Sequence, residues 1–406
     1  MHYYFTRPPI LSIMSNSYKK LKFARFFLAL SLFLLISGAA FCQSPKTINI
    51  IFTSDAHYGI TRKDFRGDTN VDSYVVNAAM IKTMNSLPTQ TLPVDGGIGA
   101  GTPIAAVDYL IQTGDIANRM EPPFQSAAAD WAQFEHDYMQ SVTLKNHQHQ
   151  PAPLWVAPGN HDISNAIGYY RTMTPKTDPT SMVKIYNMML KPSHPKTNAD
   201  YNYVTDKINY SKDIQGIHII FITLWPDSAE RIWMEKDLAK VAKSTPVMVF
   251  CHDQPTCEAK HFTNPVAPYD MTAANKFENL TAEHYKEGSA AVKDDGSTDI
   301  EQRGWVKFLK AHRNIKAYFH GNSNWNEFYV YGGPDNDVAI NTFRVDSPMK
   351  GKYSSKDETK LSYQLITLDA ANQSLTVREC LWNTDPSKPT TPVVFGASKT
   401  VSLKVE

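Results

Sequence analysis

Seven side chains that can bind metal ions or transfer protons follow four short apolar segments of the chain. Carboxylate oxygens suit divalent cations and can bridge two of them, whereas a neutral imidazole binds one. In an α/β sheet with right-handed crossovers, the ends of the strands gather along one edge. The candidates that follow the apolar segments are Asp55 and His57, then Asp115, then Asn160, His161 and Asp162, and finally His252. Their placement predicts one site built from four strand ends.

Alternating strand-like and helix-like segments surround these positions. Between the strand-like segments, apolar residues recur at helical spacing, as in Trp305, Phe308 and Leu309. After residue 327 only strand patterns remain. The strand-like segments are 47–52, 107–111, 154–156, 217–224, 247–250, 315–319, 327–331, 338–345, 361–368 and 374–381. We therefore predict an α/β fold in which C-terminal β hairpins complete a second sheet.

The glycine-rich segment 95–101 resembles a phosphate-binding loop in composition only. Such loops join a strand to the helix that follows it, so that the helix N-terminus faces the phosphate. Segment 95–101 lies before a strand instead. We expect it to be a flexible connection.

The first 43 residues have the layout of a secretory signal peptide. Lys19, Lys20, Lys22 and Arg25 precede the apolar run 26–36, and small residues at 38–40 follow it. The run is shorter than the roughly 20 residues that span a membrane. We therefore predict cleavage near residues 40–43, export to the periplasm or the medium, and no stable membrane span afterwards.

Two details of this segment leave alternatives open. Met14 begins a more compact signal sequence, so residues 1–13 are interpreted as an upstream start-site artefact. Acylation of Cys42 would make the chain a lipoprotein, although Phe41 is bulky where such sites usually hold a small residue. Residues 44–406 are predicted to form a single domain, because no linker long enough to divide them is present.

The composition of the chain agrees with a folded, mildly acidic protein. Of the 406 residues 42% are hydrophobic, which is enough for a large core. Removing the five basic side chains of residues 1–43 from the total of 41 leaves 36, against 40 acidic side chains. A body of this charge gives no electrostatic reason to expect a nucleic-acid partner.

Three cysteines remain after residue 43, and their state is open. An odd number excludes a fully paired disulfide framework. Cys251 and Cys257 are close enough in sequence to close a small loop, and buried free thiols are the alternative for both of them and for Cys380.

The chemistry-bearing residues also occur in a recognisable order. Asp55-Ala56-His57, Gly114-Asp115, Gly159-Asn160-His161-Asp162 and His252 resemble the motifs of the calcineurin-like phosphoesterase superfamily. The resemblance covers about residues 47–330. It implies a four-layer α-β-β-α sandwich and a metal-dependent phosphoesterase, acting on phosphomonoesters or phosphodiesters.

The resemblance also implies a role for each residue. Two divalent ions (Mn²⁺, Mg²⁺, Fe or Zn²⁺) would share Asp115, with Asp55 and His57 on one ion. Asn160 and His252 would bind the other. Together the two ions would activate a water molecule for attack on a phosphate ester of a small molecule or lipid. His161 would contact the phosphoryl group or the leaving oxygen, and Asp162 would orient the His161 ring.

One motif departs from the family pattern. The family usually ends with Gly-His-x-His, whereas this chain has Gly321-Asn322-Ser323-Asn324. In one interpretation Asn322 and Asn324 still bind metal through oxygen, which favours Mn²⁺, Mg²⁺ or Ca²⁺ over Zn²⁺. In the other the segment is a turn, and the protein is a catalytically weak binder of a phosphorylated ligand.

Overall fold

A computed structural model describes residues 1–4, 47–118, 125–163, 178–203, 205–256 and 299–405, with residues 299 and 300 as backbone only. Contacts divide the chain into Met1–Pro45 and Lys46–Glu406, and every element below belongs to the second unit. The predicted signal peptide and Cys257 lie outside the described residues. Among the described residues, no helix combines the length and apolar character needed to cross a membrane.

Strands account for most of the regular structure. Most are short, and β1, β7 and β8 are mostly apolar and are buried along their whole length. In chain order the strands are β1 (Ile48–Thr53), β2 (Thr61–Phe65), β3 (Asp68–Asp72), β4 (Tyr109–Gln112), β5 (Leu154–Val156), β6 (Tyr210–Ile214), β7 (Ile217–Phe221), β8 (Val247–Phe250), β9 (Ile315–His320), β10 (Glu327–Tyr331), β11 (Ile340–Arg344), β12 (Ser362–Asp369), β13 (Ser374–Leu381) and β14 (Val394–Ser402).

Helices lie between the strands. Helix α5 begins at a normal cap, because the Asp227 carboxylate accepts hydrogen bonds from the amides of Ala229 and Glu230. In α2 the Ser126 hydroxyl accepts from the Ala129 amide, and a π-helical stretch, Glu135–Gln140, continues this helix. The α-helices are α1 (Ser73–Ser86), α2 (Ala127–Phe134), α3 (Asn160–Ile163), α4 (Thr180–Leu190), α5 (Ser228–Leu238) and α6 (Asp299–Ala311).

The strands form two six-stranded mixed sheets and one small hairpin. The first sheet has the order β14-β13-β12-β1-β4-β5, and the second has the order β10-β11-β9-β8-β7-β6. Strands β1, β4 and β5 are parallel, as are β7, β8, β9 and β11. Strands β2 and β3 form the hairpin.

The β-only tail divides between the two sheets. Strands β10 and β11 complete the second sheet, as predicted. The prediction was wrong for β12, β13 and β14, which join the first sheet. The central pairing is antiparallel, with Ile50 of β1 opposite Ile366 of β12. Both strands are almost entirely buried, so joining them covers the polar backbone edge that β1 would otherwise expose.

Alternation along the strands builds the layers of the sandwich. In β8, Met248 and Phe250 enter the core shared with the first sheet, whereas Val247 and Val249 face the helices α5 and α6. Across the interface between the sheets, the Phe52 ring of β1 lies 5.5 Å from Phe250, edge to face. Helices α1 and α2 pack with the first sheet. The four-layer α-β-β-α arrangement is therefore present.

The two described cysteines are buried free thiols. The Cys251 Sγ lies 2.6 Å from the Tyr318 hydroxyl oxygen in the core. Burial raises the pKa of both Cys251 and Cys380. Of the two alternatives for Cys251, the free thiol is the one observed.

Candidate metal centre

Four strand ends meet at one edge of the two sheets and deliver the predicted residues together. Asp55 and His57 follow β1, and Asp115 follows β4. Asn160 and His161 begin the short helix α3 after β5, and His252 follows β8. All of these residues are buried, with exposed fractions between 0% and 6% of the whole residue. The structure thus brings residues that are up to 197 positions apart into one cluster.

The backbone that carries these residues is in an uncommon conformation. Left-handed φ angles are costly for most residues, by about 1–3 kcal/mol each, and they concentrate at functional sites. Positive φ angles occur at Asp55 (56°), His57 (46°), Asp115 (52°), Asn322 (59°) and Asn324 (63°). The turns after β1, β4 and β9 therefore place these side chains at a cost to the local backbone.

Two glycines allow the loops to approach one another closely. A Cβ atom on Gly159 would overlap the Asp115 carboxylate and lie 2.9 Å from the His252 ring. A Cβ atom on Gly321 would overlap the carboxylate of Asp55. Any larger residue would push the metal-binding loops apart, which explains why glycine stands in both motifs.

The donor atoms converge on Asp115. Its Oδ2 atom lies 3.3 Å from His252 Nε2, 3.7 Å from His57 Nε2 and 4.0 Å from His161 Nε2. His57 Nε2 is also 3.5 Å from Asp55 Oδ1. Two triads of side chains could each hold a metal ion, because the possible ligand atoms within each triad lie within 4.8 Å of one another. The first triad is His57, Asp115 and His161, and the second is Asp55, Asp115 and His252.

Asn160 completes the cluster beside His252. Its Oδ1 atom lies 3.2 Å from His252 Nε2, so these two donors face the same point. Asn160 therefore lies next to the second triad, on the side of Asp115 that faces His252. Assignment of each ligand to one ion of a pair stays a prediction.

The chemistry of the cluster fits divalent cations. None of the described residues hydrogen-bonds to Asp55 Oδ1 or to either ring nitrogen of His57, although all three atoms are buried. Buried polar atoms normally have partners, because leaving them unsatisfied costs free energy. A cation bound between the carboxylates and His57 Nε2, the ring nitrogen that faces them, would satisfy Asp55 Oδ1 and that nitrogen. Asp55, His57, Asp115, Asn160 and His252 are the residues that would hold it.

Titration behaviour reflects the same need for positive charge. Burial alone would raise the pKa of the Asp115 carboxyl, but the charges of His252 and His161 hold it well below its usual range. Burial tends to lower the pKa of His252, yet the carboxylates of Asp115 and Asp55 raise it to about 10. Without a cation, a proton on His252 balances the carboxylates. A bound metal ion would take the place of that proton.

Neighbouring groups fix the orientation of the ligands. The Nδ1–H of His252 donates to the Thr113 carbonyl at 2.7 Å, which leaves Nε2 facing Asp115. The backbone amide of His161 donates to Asp115 Oδ1 at 2.8 Å. Asp115 thus has one oxygen engaged by the backbone and the other facing three imidazoles. Thr113 directly follows β4, the strand that delivers Asp115, so the same strand end positions both residues.

His161 and Asp162 lie beside the metal residues but do different things. The Asp162 carboxylate accepts hydrogen bonds from the amides of Ile116, Ala117 and Gly159 at 2.9–3.3 Å. Burial raises the pKa of Asp162 to about 7. These contacts tie the loops after β4 and β5 together. Orientation of the His161 ring by Asp162 stays a prediction.

Asn322 and Asn324 border the centre at the end of β9. The Asn322 amide N–H donates to Asp55 Oδ2 at 2.9 Å, and its side chain donates to Gln254 at 3.1 Å. The Asn324 side chain donates to the Asn322 carbonyl at 2.6 Å. Asn324 Oδ1 is buried and receives no hydrogen bond from any described residue. One amide oxygen is therefore available as a ligand, and metal coordination by both asparagines stays a prediction.

Two residues near this motif are engaged elsewhere. His320 Nε2 lies 2.9 Å from the Tyr329 hydroxyl oxygen, and burial lowers the His320 pKa well below its usual range. Glu327 pairs with Arg344 on the outer side of β10. Neither side chain belongs to the described ligand triads.

Lys350 is a residue of this centre that the sequence did not reveal. Its Nζ atom lies 3.5 Å from His161 Nε2. Burial lowers the pKa of His57, and the charge of Lys350 lowers it further, against the opposing effect of Asp55. No motif announces Lys350, because it lies in an irregular segment 26 residues after Asn324.

Comparison with known proteins gives one decisive match. A family model described as calcineurin-like phosphoesterase matches residues 48–321, about two thirds of the chain. None of the curated proteins compared with the chain matches it.

Several solved structures are similar at low identity. A dimetal phosphatase from Danio rerio is 7% identical, with 88% of this chain and 99% of that chain covered and a TM-score of 0.49. The calcineurin-like phosphoesterase YfkN from Bacillus subtilis is 11% identical (88% and 91% covered, TM-score 0.31). Vps29 from Chaetomium thermophilum is 9% identical (89% and 100% covered, TM-score 0.32). We base no inference on similarities this distant. Because the family model matches more than half of the chain, the chain belongs to the calcineurin-like phosphoesterase family, a family of metal-dependent phosphoesterases.

Proposed function

We propose that this chain is an exported hydrolase that cleaves phosphate monoesters or diesters of small molecules or lipids with the help of two divalent cations. The observation that carries the proposal is the convergence of three imidazoles on one oxygen of Asp115 in a buried cluster. The oxygen-rich ligand set favours Mn²⁺ or Mg²⁺ over Zn²⁺.

The protein's own residues would divide the work. Asp115, which belongs to both triads, would bind both cations. The remaining ligands would be Asp55, His57, Asn160 and His252. When bound, two divalent cations lower the pKa of a water molecule and offset the charge on the phosphate oxygens.

Proton transfer falls to His161 in this proposal. Its side chain is 8% exposed, whereas those of His57 and His252 are 1% and 0% exposed. The imidazole that reaches the surface is the one able to meet a substrate. We propose that His161 Nε2 carries the proton that passes to the leaving oxygen.

The first experiment is a hydrolysis assay on the chain from Ser44 onward. Bis-p-nitrophenyl phosphate and p-nitrophenyl phosphate would be offered to metal-stripped protein and after addition of Mn²⁺, Mg²⁺, Ca²⁺ or Zn²⁺. We expect turnover that requires a metal and disappears in Asp115→Asn. His161 lies within reach of His57 and Asp115 but is assigned to proton transfer and not to metal binding, so His161→Gln should bind metal normally and turn over slowly. A folded, metal-loaded protein without turnover on either ester would refute the proposal.

A second candidate function is binding of a phosphorylated ligand with little catalysis. Asn322 and Asn324 favour it, because their hydrogen bonds to Gln254 and to each other also suit a plain turn. The variant with Asn322→His and Asn324→His restores the family pattern and separates the candidates. A gain of about 100-fold or more in turnover, at or above the 10- to 100-fold effect of an outer partner of a metal ligand, would support the binder. Unchanged or reduced turnover would support the enzyme.

Export rests on the sequence alone. The basic residues, apolar run and small residues before Ser44 support it. Expression of the full chain, followed by fractionation and N-terminal sequencing, should give an exported chain that begins near Ser44. Cys42→Ser should leave that outcome unchanged, whereas loss of membrane association in this variant would indicate a lipoprotein. A chain that keeps its first 43 residues inside the cell would contradict export.

A further inference from the structure

One positive side chain reaches the metal centre from outside all the family motifs. Lys350 Nζ lies 3.5 Å from His161 Nε2. The His161 side chain is more exposed than those of His57 and His252. Lys350 itself is half-buried. Its ammonium group therefore stands at the mouth of the site rather than in open solvent.

The segment that carries Lys350 is held in place by hydrogen bonds at its start. The Ser347 hydroxyl donates to the Asp55 carbonyl at 2.8 Å and accepts from the amides of Met349 and Lys350 at 3.2 and 3.0 Å. Ser347 thus connects the metal-binding turn after β1 directly to the backbone of Lys350. A lysine at a random surface position would have no such support.

Two further contacts fix the rest of the segment. The Arg62 guanidinium, in β2, donates to the carbonyls of Pro348 (2.9 Å) and Ser354. The Lys352 amide donates to the Asn324 carbonyl at 2.6 Å. The segment from Ser347 to Ser354 is thereby attached both to the turn of Asp55 and to the turn of Asn324.

We propose that Lys350 is a substrate-binding residue whose ammonium group holds a non-bridging oxygen of the phosphate ester beside His161. The inference rests on the proposed function, of which it names a further binding group. An ammonium group carries three donors, and hydrogen bonds between charged groups are the strong ones. A phosphomonoester carries a charge of about −1.5 to −2 near neutral pH, whereas a diester carries one negative charge. Lys350 should therefore favour monoesters over diesters.

The chain supplies matched variants for the test. Lys350→Met removes the charge and keeps the length of the side chain, and Lys350→Arg keeps the charge. Lys352→Met is the control, because the Lys352 ammonium lies 4.2 Å from the Trp325 ring centre and the bond to Asn324 comes from its backbone. All variants should bind the same number of metal ions as the native chain.

The first measurement is calorimetric titration of inorganic phosphate into the metal-loaded proteins. We expect Lys350→Met to weaken phosphate binding by about 10- to 100-fold, the range for a lost hydrogen bond between charged groups. Lys350→Arg should stay within about threefold, and Lys352→Met should match the native protein. This titration needs no turnover, so it decides the role of Lys350 even if the hydrolase proposal fails.

The second measurement is the ratio of kcat/KM for p-nitrophenyl phosphate to that for bis-p-nitrophenyl phosphate. Lys350→Met should lower this ratio, because the dianion loses more than the monoanion. A merely structural role would lower both values equally and leave the ratio unchanged. The proposal is overturned if Lys350→Met binds phosphate as tightly as the native protein. It is equally overturned if that variant gains metal affinity instead, since the ammonium would then be standing in for a cation.

Discussion

Two charged clusters in this molecule differ in how well their buried atoms are satisfied. The Arg378 cluster consists of Arg378, Asp95, Thr367 and Ile98. Arg378 is fully buried, and its guanidinium donates to both oxygens of Asp95, to the Thr367 hydroxyl and to the Ile98 carbonyl at 2.8–3.1 Å. In the metal centre, by contrast, atoms of Asp55 and His57 are buried and receive no hydrogen bond from the described residues.

The difference separates a structural role from a functional one. A buried charge whose partners are all present stabilises a specific packing and needs nothing further. Buried donors and acceptors that converge without partners are complete only when something binds among them. The two clusters should therefore respond in opposite ways to substitution and to metal.

The largest effect is expected from Asp115→Asn. We expect kcat/KM to fall by about 1,000-fold, more than the 10- to 100-fold typical of an outer partner of a metal ligand. The metal-free melting temperature should stay close to that of the native chain. Steady-state kinetics with thermal unfolding of the same samples provides the check. A loss of activity that merely follows loss of folded protein would count against the role given to Asp115.

Arg378→Leu should lower the stability of the protein and leave its activity unchanged. Removal of the guanidinium leaves the Thr367 hydroxyl and the Ile98 carbonyl without their donor, so the free energy of unfolding should fall by about 1–3 kcal/mol. Urea unfolding measures this quantity. The kcat of the folded fraction should not change, because the cluster lies in β12, β13 and the loop before β4 and contains none of the proposed metal ligands. A large drop in kcat at a temperature where the variant is fully folded would break the comparison.

Metal should stabilise the native chain and the Arg378→Leu variant, but not the Asp115→Asn variant. A cation at 100 times its dissociation constant adds about 2.7 kcal/mol to the free energy of unfolding. We expect this increment in the native chain and, undiminished, in Arg378→Leu, and its loss in Asp115→Asn. Unfolding curves with and without EDTA test it. An equal increment in Asp115→Asn would show that the ion binds elsewhere.

The smallest effect concerns acid. Hydrogen bonds from Arg378 lower the pKa of Asp95 to about 2, against a small opposing effect of burial. The folded-state pKa is depressed, so this contribution to stability is present above the ordinary pKa of 3.8 and is lost as pH falls from there towards 2. Asp95→Asn should remove that part of the pH dependence. An identical acid profile in this variant would argue against the assigned shift.

The sequence predicted which side chains meet at one edge of the sheets, because its signals are local. Each ligand motif lies within a few residues of an apolar strand, so Asp55, Asp115 and His252 could be placed at strand ends without a structure. The predicted strands were found for the same reason, whereas β2, β3, β6 and β14 were missed because few of their residues are apolar and buried. The pattern of apolar residues along a strand does not indicate which strands become neighbours in a sheet.

Other failures involve contacts between residues far apart in the chain. Strand β12 pairs with β1 across more than 300 residues, and no local pattern encodes that partner. The glycine-rich segment 95–101 was expected to be flexible, yet Arg378 binds it. Lys350 reaches His161 only because the segment around it is attached to Asp55 and Asn324. Tertiary structure decides such placements.

The most direct test of the two-metal centre is the number of ions bound per chain. The native chain from Ser44 onward would be loaded with Mn²⁺, passed through gel filtration and analysed by elemental mass spectrometry beside Asp115→Asn and Arg378→Leu. We predict two ions per chain for the native protein and for Arg378→Leu, and fewer for Asp115→Asn. A native protein that retains no ion, or an Asp115→Asn variant that retains as many as the native chain, would contradict the account.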